Sequence, residues 1–143
     1  MTYAITEAQD ADAAYMPIWG PLLQFNEQAV GDASALPFAL EIRDAAGMAV
    51  VGGLWAMSLW GSFYIALIVA PQDGRGRGLG SELMRRAEAE AQTRGCRQMW
   101  LDTYAFQARG FYERLGFEVF GQIDGPAPMF PRYFLQKRLP GSA

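Results

Sequence analysis

The sequence of 143 residues contains no histidine, one cysteine (Cys96) and one lysine (Lys137). Without histidine the chain lacks the side chain that most often serves as general base, proton shuttle or zinc ligand. One cysteine excludes a disulfide within the chain and is compatible with a reducing compartment. The longest mainly apolar stretch, residues 48–60, is too short to span a membrane, and no targeting segment is visible. We therefore expect a soluble, cytoplasmic protein without a metal.

The composition favours one globular domain over residues 1–143. Hydrophobic residues make up 51% of the chain and aromatic residues 13%, which is enough to build a buried core at this length. The net charge is −3 and the isoelectric point is about 4.9, so a general affinity for nucleic acid is not expected.

Apolar periodicity predicts a mixed α/β chain. Alternating patterns predict strands at residues 3–6, 38–43, 49–59, 63–69, 98–103, 117–123 and 132–139, with a bulge near Gly52 and Gly53. Helical spacing predicts two short helices before residue 31, the second at residues 22–30, because Pro17, Gly20 and Pro21 interrupt the region. It also predicts a helix from Leu79 to the stop at Gly95 and another at residues 108–115. An antiparallel meander followed by β-α-β units gives an α/β (α+β) fold, with a mostly antiparallel sheet of six to seven strands and about four helices.

A glycine-rich turn at residues 75–81, with the sequence RGRGLGS, joins the strand that ends at Val69 to the next helix. Glycines let the backbone approach an anion, and the free amides and dipole of a helix N-terminus favour phosphate. A P-loop is excluded because the turn has no lysine, and no GxGxxG frame of a dinucleotide site is complete. The remaining alternative is an ordinary helix start with solvated arginines.

Two motifs of the chain resemble those of the GNAT superfamily of N-acetyltransferases. Arg75-x-x-Gly78-x-Gly80 matches the (Q/R)xxGx(G/A) signature, and residues 108–117 (ARGFYERLGF) resemble the second motif of the family. Residues 132–139 resemble the last strand of the family, so the resemblance spans nearly the whole chain. It implies transfer of an acetyl group from acetyl-CoA to a primary amine by direct attack. It also implies that the fourth and fifth predicted strands, residues 63–69 and 98–103, splay apart around the cofactor.

The resemblance also implies which residues bind the cofactor. The pyrophosphate would lie against the turn, which makes the first group of binding residues Arg75, Gly76, Arg77, Gly78, Gly80 and Ser81. The pantetheine arm would run beside the backbone of Leu67, Ile68 and Val69, and one of these amides would polarise the thioester carbonyl. The side chains of Leu67 and Val69 are themselves expected in the core. Ala108 and Phe111 complete the set of cofactor contacts.

Tyr112 is the candidate general acid, because a positioned phenol can protonate a leaving thiolate. Spacing alone favours Tyr112 as a core residue of its helix, and it is the resemblance to the family that favours the catalytic role. The general base is open between Glu41, Asp102, Glu113 and a water chain. Asp102 is favoured because it ends a strand beside the expected cleft. Cys96 is expected to be a small buried residue, and a covalent acyl-cysteine is the alternative.

The acceptor is the least constrained part of the prediction. We expect some of the following residues at its site, which would suit a modest-sized or partly apolar amine: Trp19, Phe25, Trp55, Tyr104, Phe130 and Tyr133. Small molecules, peptide N-termini and protein lysines all remain open as acceptors, as does a homodimer through the late strands. Ala105 replaces an asparagine found in many family members, which puts one cofactor hydrogen bond in doubt. The alternative functions are a non-catalytic acyl-CoA-binding module and, against the acidic isoelectric point, a nucleic-acid-binding domain.

Overall fold

The structure is a computed structural model that describes residues 1–74 and 76–141. The chain divides into two compact units, Met1–Ala33 and Ser34–Ala143. The first contains a single helix and the second contains a six-stranded sheet with two helices.

The first unit is built around helix α1 (Ala11–Val30). Its start is capped by Asp10, whose Oδ1 accepts hydrogen bonds from the amides of Asp12 and Ala13. The prediction of two short helices here is wrong, because Pro17 and Pro21 lie inside one continuous helix. The two prolines are four residues apart and lie on one face of the helix. The backbone hydrogen bonds that they cannot donate are therefore missing on that face only, and the bonds on the other faces still connect successive turns. Neither α1 nor any other helix in the described part of the chain is long and apolar enough to cross a membrane.

The strand predicted at residues 3–6 is absent, since residues 1–10 form no regular element. A four-residue alternation is a weak signal, and a strand is stable only when a neighbouring strand accepts its hydrogen bonds. The structure gives this segment no place in the sheet. The element order therefore begins with a helix rather than with the predicted strand.

The second unit contains all the elements predicted after residue 34, with bounds that differ from the prediction by two residues or fewer. In chain order they are β1 (Leu36–Arg43), β2 (Val50–Leu59), β3 (Ser62–Val69), α2 (Leu79–Thr93), β4 (Gln98–Tyr104), α3 (Arg109–Arg114), β5 (Glu118–Ile123) and β6 (Arg132–Arg138). The strand order across the sheet is β1-β2-β3-β4-β6-β5. Only the β3–β4 pair is parallel. The predicted mixed, mostly antiparallel α/β fold is confirmed, with six strands and three helices in the described residues instead of about four helices.

One face of the sheet packs against α2 and α3 to form the core. The predicted stripe of α2 is buried at Leu83, Ala87 and Ala91, and Met84 joins it. The largest fully buried side chains come from β3, β4 and β6, namely Phe63, Met99, Leu101 and Leu135. Burial of this apolar surface is the main term that stabilises the unit.

At Gly52 and Gly53, strand β2 lies unusually close to the backbones of both neighbouring strands, β1 and β3. A β-carbon on Gly53 would collide with the carbonyl oxygen of Leu40 in β1, and one on Gly52 would collide with that of Val69 in β3. The register of β1 against β2 shifts beside these glycines, because Ile42 pairs with Gly52 and Arg43 pairs with Val50. The irregularity predicted from the glycine pair therefore lies next to it, at Val51.

Strands β3 and β4 separate halfway along their length. Their parallel pairing runs from Ser62 opposite Gln98 to Ile65 opposite Leu101 and then stops. At this point β3 carries an extra residue, Ala66, against β2. Beyond it β3 continues to pair with β2, and β4 continues to pair with β6, so each strand leaves one edge free. The predicted splay of these two strands is confirmed.

Candidate active site

A cavity of about 940 Å³ opens between the splayed ends of β3 and β4. Its walls are the end of β3, the start of α2, the end of β4 and part of α3. The predicted site residues that line it are Leu67, Ile68, Val69, Gly76, Gly78, Gly80, Ser81, Asp102, Ala108, Phe111 and Tyr112. Of the two others, Arg77 does not line the cavity, and Arg75 lies outside the described residues.

The start of α2 presents unpaired amides to this cavity. The helix begins at Leu79 after Gly78, whose φ of +72° is left-handed and which offers no side-chain cap. Among the described residues, the backbone N–H groups of Gly80 and Ser81 have no acceptor. A β-carbon on Gly80 would lie 3.4 Å from the ring of Phe111, so glycine lets α2 approach α3 closely. Two free donors at the positive end of a helix dipole can hold an anion.

The free edge of β3 forms the adjacent wall. Leu67, Ile68 and Val69 pair with β2 on one side only, which leaves backbone groups of the other side unpaired by a strand. The expectation that the side chains of Leu67 and Val69 are core is wrong, because they are 67% and 61% exposed. The extra residue Ala66 reverses the in–out alternation, so Ile68 packs against the core in their place. An unpaired strand edge can bind an extended ligand by adding a strand.

Tyr112 lies on α3 at the inner end of the cavity and is buried. Its ring meets those of Phe111 and Phe117 edge-on. No hydrogen bond to its hydroxyl is found among the described residues. Since no fully buried side-chain oxygen of these residues lacks a partner, this hydroxyl keeps some accessible surface, and Tyr112 lines the cavity. Burial raises the pKa of Tyr112 above the ordinary 10.0, so the group stays protonated at neutral pH.

Asp102 also lines the cavity, but its carboxylate already has partners. The hydroxyl of Tyr64 donates to Oδ1 at 3.3 Å, and Nε of Arg132 donates to Oδ2 at 2.7 Å. The Nη2 atom of Arg132 lies 2.6 Å from the same oxygen, which makes the contact a two-pronged ion pair. Burial and the Asp102 charge raise the pKa of Tyr64, and the hydrogen bond to Asp102 raises that of Arg132. The role of Asp102 as general base stays a prediction, and these contacts weigh against it.

The other predicted bases, Glu41 and Glu113, do not line the cavity. Glu41 pairs with Arg43 on the edge strand β1, and Glu113 pairs with Arg109 at 3.0 Å on α3; all four side chains are exposed. Cys96 is buried in the core cluster, which raises the pKa of its thiol and disfavours the thiolate. Among the described residues, no cluster of histidine, cysteine and acidic side chains could hold a metal.

The predicted acceptor residues are divided between several places. Trp19 and Phe25 belong to the first unit. Trp55 is partly exposed on β2, and Tyr104 lines the cavity at the end of β4. Phe130 is exposed in the loop before β6. Tyr133 instead packs against the core, with the guanidinium carbon of Arg109 4.4 Å from its ring centre.

Three residues near the site escaped the sequence analysis. Gln107 accepts hydrogen bonds from the Tyr104 amide at 2.7 Å and the Thr103 hydroxyl at 3.1 Å, so its side chain fixes the end of β4. Tyr64 and Arg132 hold Asp102 from the neighbouring strands. Tyr64 and Asp102 lie on the same face of the sheet. Their contact depends on the pairing of β3 with β4, which are far apart in the sequence, so no local pattern predicts it.

Comparison with known proteins relates the chain to acetyltransferases. The family model described as the acetyltransferase (GNAT) family matches residues 4–117. An acetyltransferase of Agrobacterium fabrum, Atu2258, is 32% identical over 126 residues, which cover 88% of this chain and 90% of that protein. Blasticidin-S acetyltransferase of Streptomyces morookaense is 36% identical over 91 residues, covering 63% of this chain and 67% of that protein.

Solved structures share the fold. A crystal structure of an Agrobacterium tumefaciens protein assigned as an acetyltransferase superposes with a TM-score of 0.84 at 30% identity, covering 97% of this chain and all of that one. The structure of an aminoglycoside 6'-N-acetyltransferase complexed with coenzyme A gives a TM-score of 0.60 at 19% identity, covering 75% and 76% of the two chains.

Proposed function

Because this chain belongs to the GNAT family of acetyltransferases, we propose that it transfers the acetyl group of acetyl-CoA to a primary amine by direct attack. The observation that carries the proposal is the composition of the cavity, where free helix amides, a free strand edge and an unpartnered tyrosine hydroxyl meet. We further propose that residues 1–143 form one acetyltransferase domain, since the family match of residues 4–117 runs across the boundary at Ala33.

The cavity suits the parts of acetyl-CoA in turn. The Gly80 and Ser81 amides, supported by the dipole of α2, would hold the pyrophosphate. Arg75 and Arg77 would add positive charge in this region. The backbone of Leu67, Ile68 and Val69 would bond the amide groups of the pantetheine arm as an added strand, and Ala108 and Phe111 would complete this part of the site.

Tyr112 is the proposed general acid. Acetyl-CoA supplies an acetyl thioester, in which attack by the amine forms a C–N bond and breaks the C–S bond. The Tyr112 hydroxyl donates its proton to the sulfur as the bond breaks, and it can do so because it has no competing partner among the described residues. The thiolate (thiol pKa about 8.5) is a weaker base than the phenolate (phenol pKa about 10), so the phenolate left on Tyr112 readily takes a proton back from solvent once coenzyme A has left.

For Asp102 we propose a positioning role rather than proton abstraction. Both of its oxygens already accept hydrogen bonds, and protonating it would weaken the ion pair with Arg132. It ties β4 to β6 on one side and to Tyr64 of β3 on the other. Among the described residues no other carboxylate lines the cavity, so the proton of the attacking amine would pass to water.

The test is the Tyr112→Phe variant, assayed for release of free thiol from acetyl-CoA with a panel of amines. Loss of the hydroxyl breaks no hydrogen bond, so we expect an unchanged melting temperature and an unchanged Kd for acetyl-CoA. We expect kcat to fall by about 10²- to 10⁴-fold, the usual contribution of general acid catalysis. An unchanged kcat would contradict the role of Tyr112. A wild-type protein that binds acetyl-CoA but releases no thiol with any amine would indicate the alternative, a non-catalytic acyl-CoA-binding module.

A further inference from the structure

Three aromatic rings, Tyr104, Phe106 and Phe130, form one surface that we call the aromatic platform. The rings of Tyr104 and Phe106 are stacked, with centres 5.5 Å apart and planes 11° from parallel. Phe130 meets Phe106 edge-on at 5.0 Å. The two segments that carry the rings are joined by a hydrogen bond from the Ala105 amide to the Pro131 carbonyl. The platform is therefore a built arrangement rather than three independent side chains.

The platform is exposed although it is apolar. Phe106 and Phe130 are 65% and 57% exposed. Neighbouring apolar rings in water forgo the free energy that burial would give, and such surfaces commonly bind a ligand. A flat ring stacked on Phe106 would recover part of that free energy.

The platform lies on the side of the cavity formed by the end of β4 and the turn after it. Tyr104 and Phe106 line the cavity from the end of β4. The free amides and the free strand edge, which suit the cofactor, lie on the opposite wall, formed by β3 and the start of α2. Ala108 and Phe111, which follow in the chain, are assigned to the cofactor, but the end of β4 next to the platform is left for a second ligand that shares this cavity.

The charges around the cavity restrict that ligand further. Among the described residues, the one carboxylate that lines the cavity is Asp102, and Arg132 already neutralises it. The guanidinium of Arg132 also lies 5.3 Å from the ring centre of Tyr104. A ligand with several positive charges would find no unpaired carboxylate here, since the charge of Asp102 is already offset by Arg132.

We propose, resting on the function proposed above, that the acceptor is a monoamine carrying a planar aromatic ring, and that the ring packs against Phe106 and Phe130. The platform then selects the acceptor, while the acetyl transfer itself depends on Tyr112 and on the backbone of β3 and α2. Polyamines and other polycationic amines are poor acceptors in this site.

The experiment compares three primary amines as acceptors: phenethylamine, which has a ring, hexylamine, which is apolar without one, and spermidine, a polycation. We expect kcat/KM to be highest for phenethylamine, by about tenfold over hexylamine, and lowest for spermidine. In Phe106→Ala the preference for phenethylamine should disappear through a higher KM, with an unchanged Kd for acetyl-CoA. The matched control is Phe120→Ala, because Phe120 is also an exposed phenylalanine, at 52%, but does not line the cavity. It should keep the preference.

The proposal is overturned if hexylamine or spermidine is as good an acceptor as phenethylamine in the wild type. It is also overturned if Phe106→Ala weakens acetyl-CoA binding and keeps the preference, since the ring would then serve the cofactor. Failure of the proposed function has a different signature, namely no thiol release with any of the three amines, and the proposal about the acceptor then falls with it.

Discussion

Two glycines of this chain have nearly the same conformation but different surroundings. Gly78 precedes α2 with a φ of +72°, and Gly47 lies in the β1–β2 turn with a φ of +69°. A β-carbon on either glycine would have no atom within 4 Å. Replacing either one with alanine therefore introduces the same backbone strain and no collision. Only Gly78 lines the cavity.

The strain sets the expected cost. An L-residue in the left-handed region costs roughly 1–2 kcal/mol, so both Gly78→Ala and Gly47→Ala should lose that much unfolding free energy. For a chain of this size the loss corresponds to a fall in melting temperature of about 3–8 °C. Alanine at Gly78 can relieve its strain by leaving the left-handed region, which would turn the Gly80 and Ser81 amides away from the cavity. Loss of one hydrogen bond to a charged group then weakens acetyl-CoA binding by about 10- to 100-fold.

Calorimetric titration with acetyl-CoA, together with thermal melts, separates the two effects. We expect both variants to melt at lowered temperatures, each by no more than the amount given above, and only Gly78→Ala to lose affinity. Gly78→Asn should retain more affinity than Gly78→Ala, because asparagine tolerates the left-handed region better. If Gly78→Ala bound acetyl-CoA as tightly as Gly47→Ala does, the start of α2 would not be the pyrophosphate site.

Two further predictions concern stability. Arg94 is largely buried, pairs with Glu90 and donates to the Leu36 carbonyl at 2.6 Å, so Arg94→Met should lower the unfolding free energy by about 2–4 kcal/mol in urea titrations. Arg85→Met, which breaks a fully exposed pair, should leave the unfolding free energy nearly unchanged, and equal losses in both variants would contradict this view of Arg94. Since the pKa values of Tyr64 and Tyr112 are raised in the folded state, these tyrosines ionise first in the unfolded chain, so their contribution to stability is complete below about pH 10 and is lost as the pH rises further. The double substitution to phenylalanine should flatten that fall, and urea titrations between about pH 8 and 11 would reveal it.

Most of the second unit could be predicted from the sequence, because its elements carry strong local signals. The stripe of Leu83, Ala87 and Ala91 marks α2, and the glycine-rich turn marks its start. The family motifs connected that turn with Tyr112, and the structure brings both to one cavity. The signals failed where the outcome depended on more than local pattern, as in α1, where proline and glycine suggested a break that the helix does not make.

The details of the site were harder to predict, because they depend on strand register. Leu67 and Val69 were expected in the core, and a single extra residue, Ala66, turned them outward. The ion pair of Asp102 with Arg132 joins residues 30 positions apart, and it depends on the pairing of β4 with β6. No local sequence pattern indicates this pairing. The sequence therefore favoured Asp102 as a general base without showing that its carboxylate is bound to Arg132.

The central claim is that this cavity binds acetyl-CoA, and a thermal melt of the wild-type protein tests it most directly. Acetyl-CoA is compared with ATP and NADH, which also carry phosphates. A ligand that binds only the folded state at 100 times its Kd adds about 2.7 kcal/mol of stability. We expect acetyl-CoA to raise the melting temperature and the other two to leave it nearly unchanged. No shift with millimolar acetyl-CoA, or an equal shift with ATP or NADH, would contradict the account.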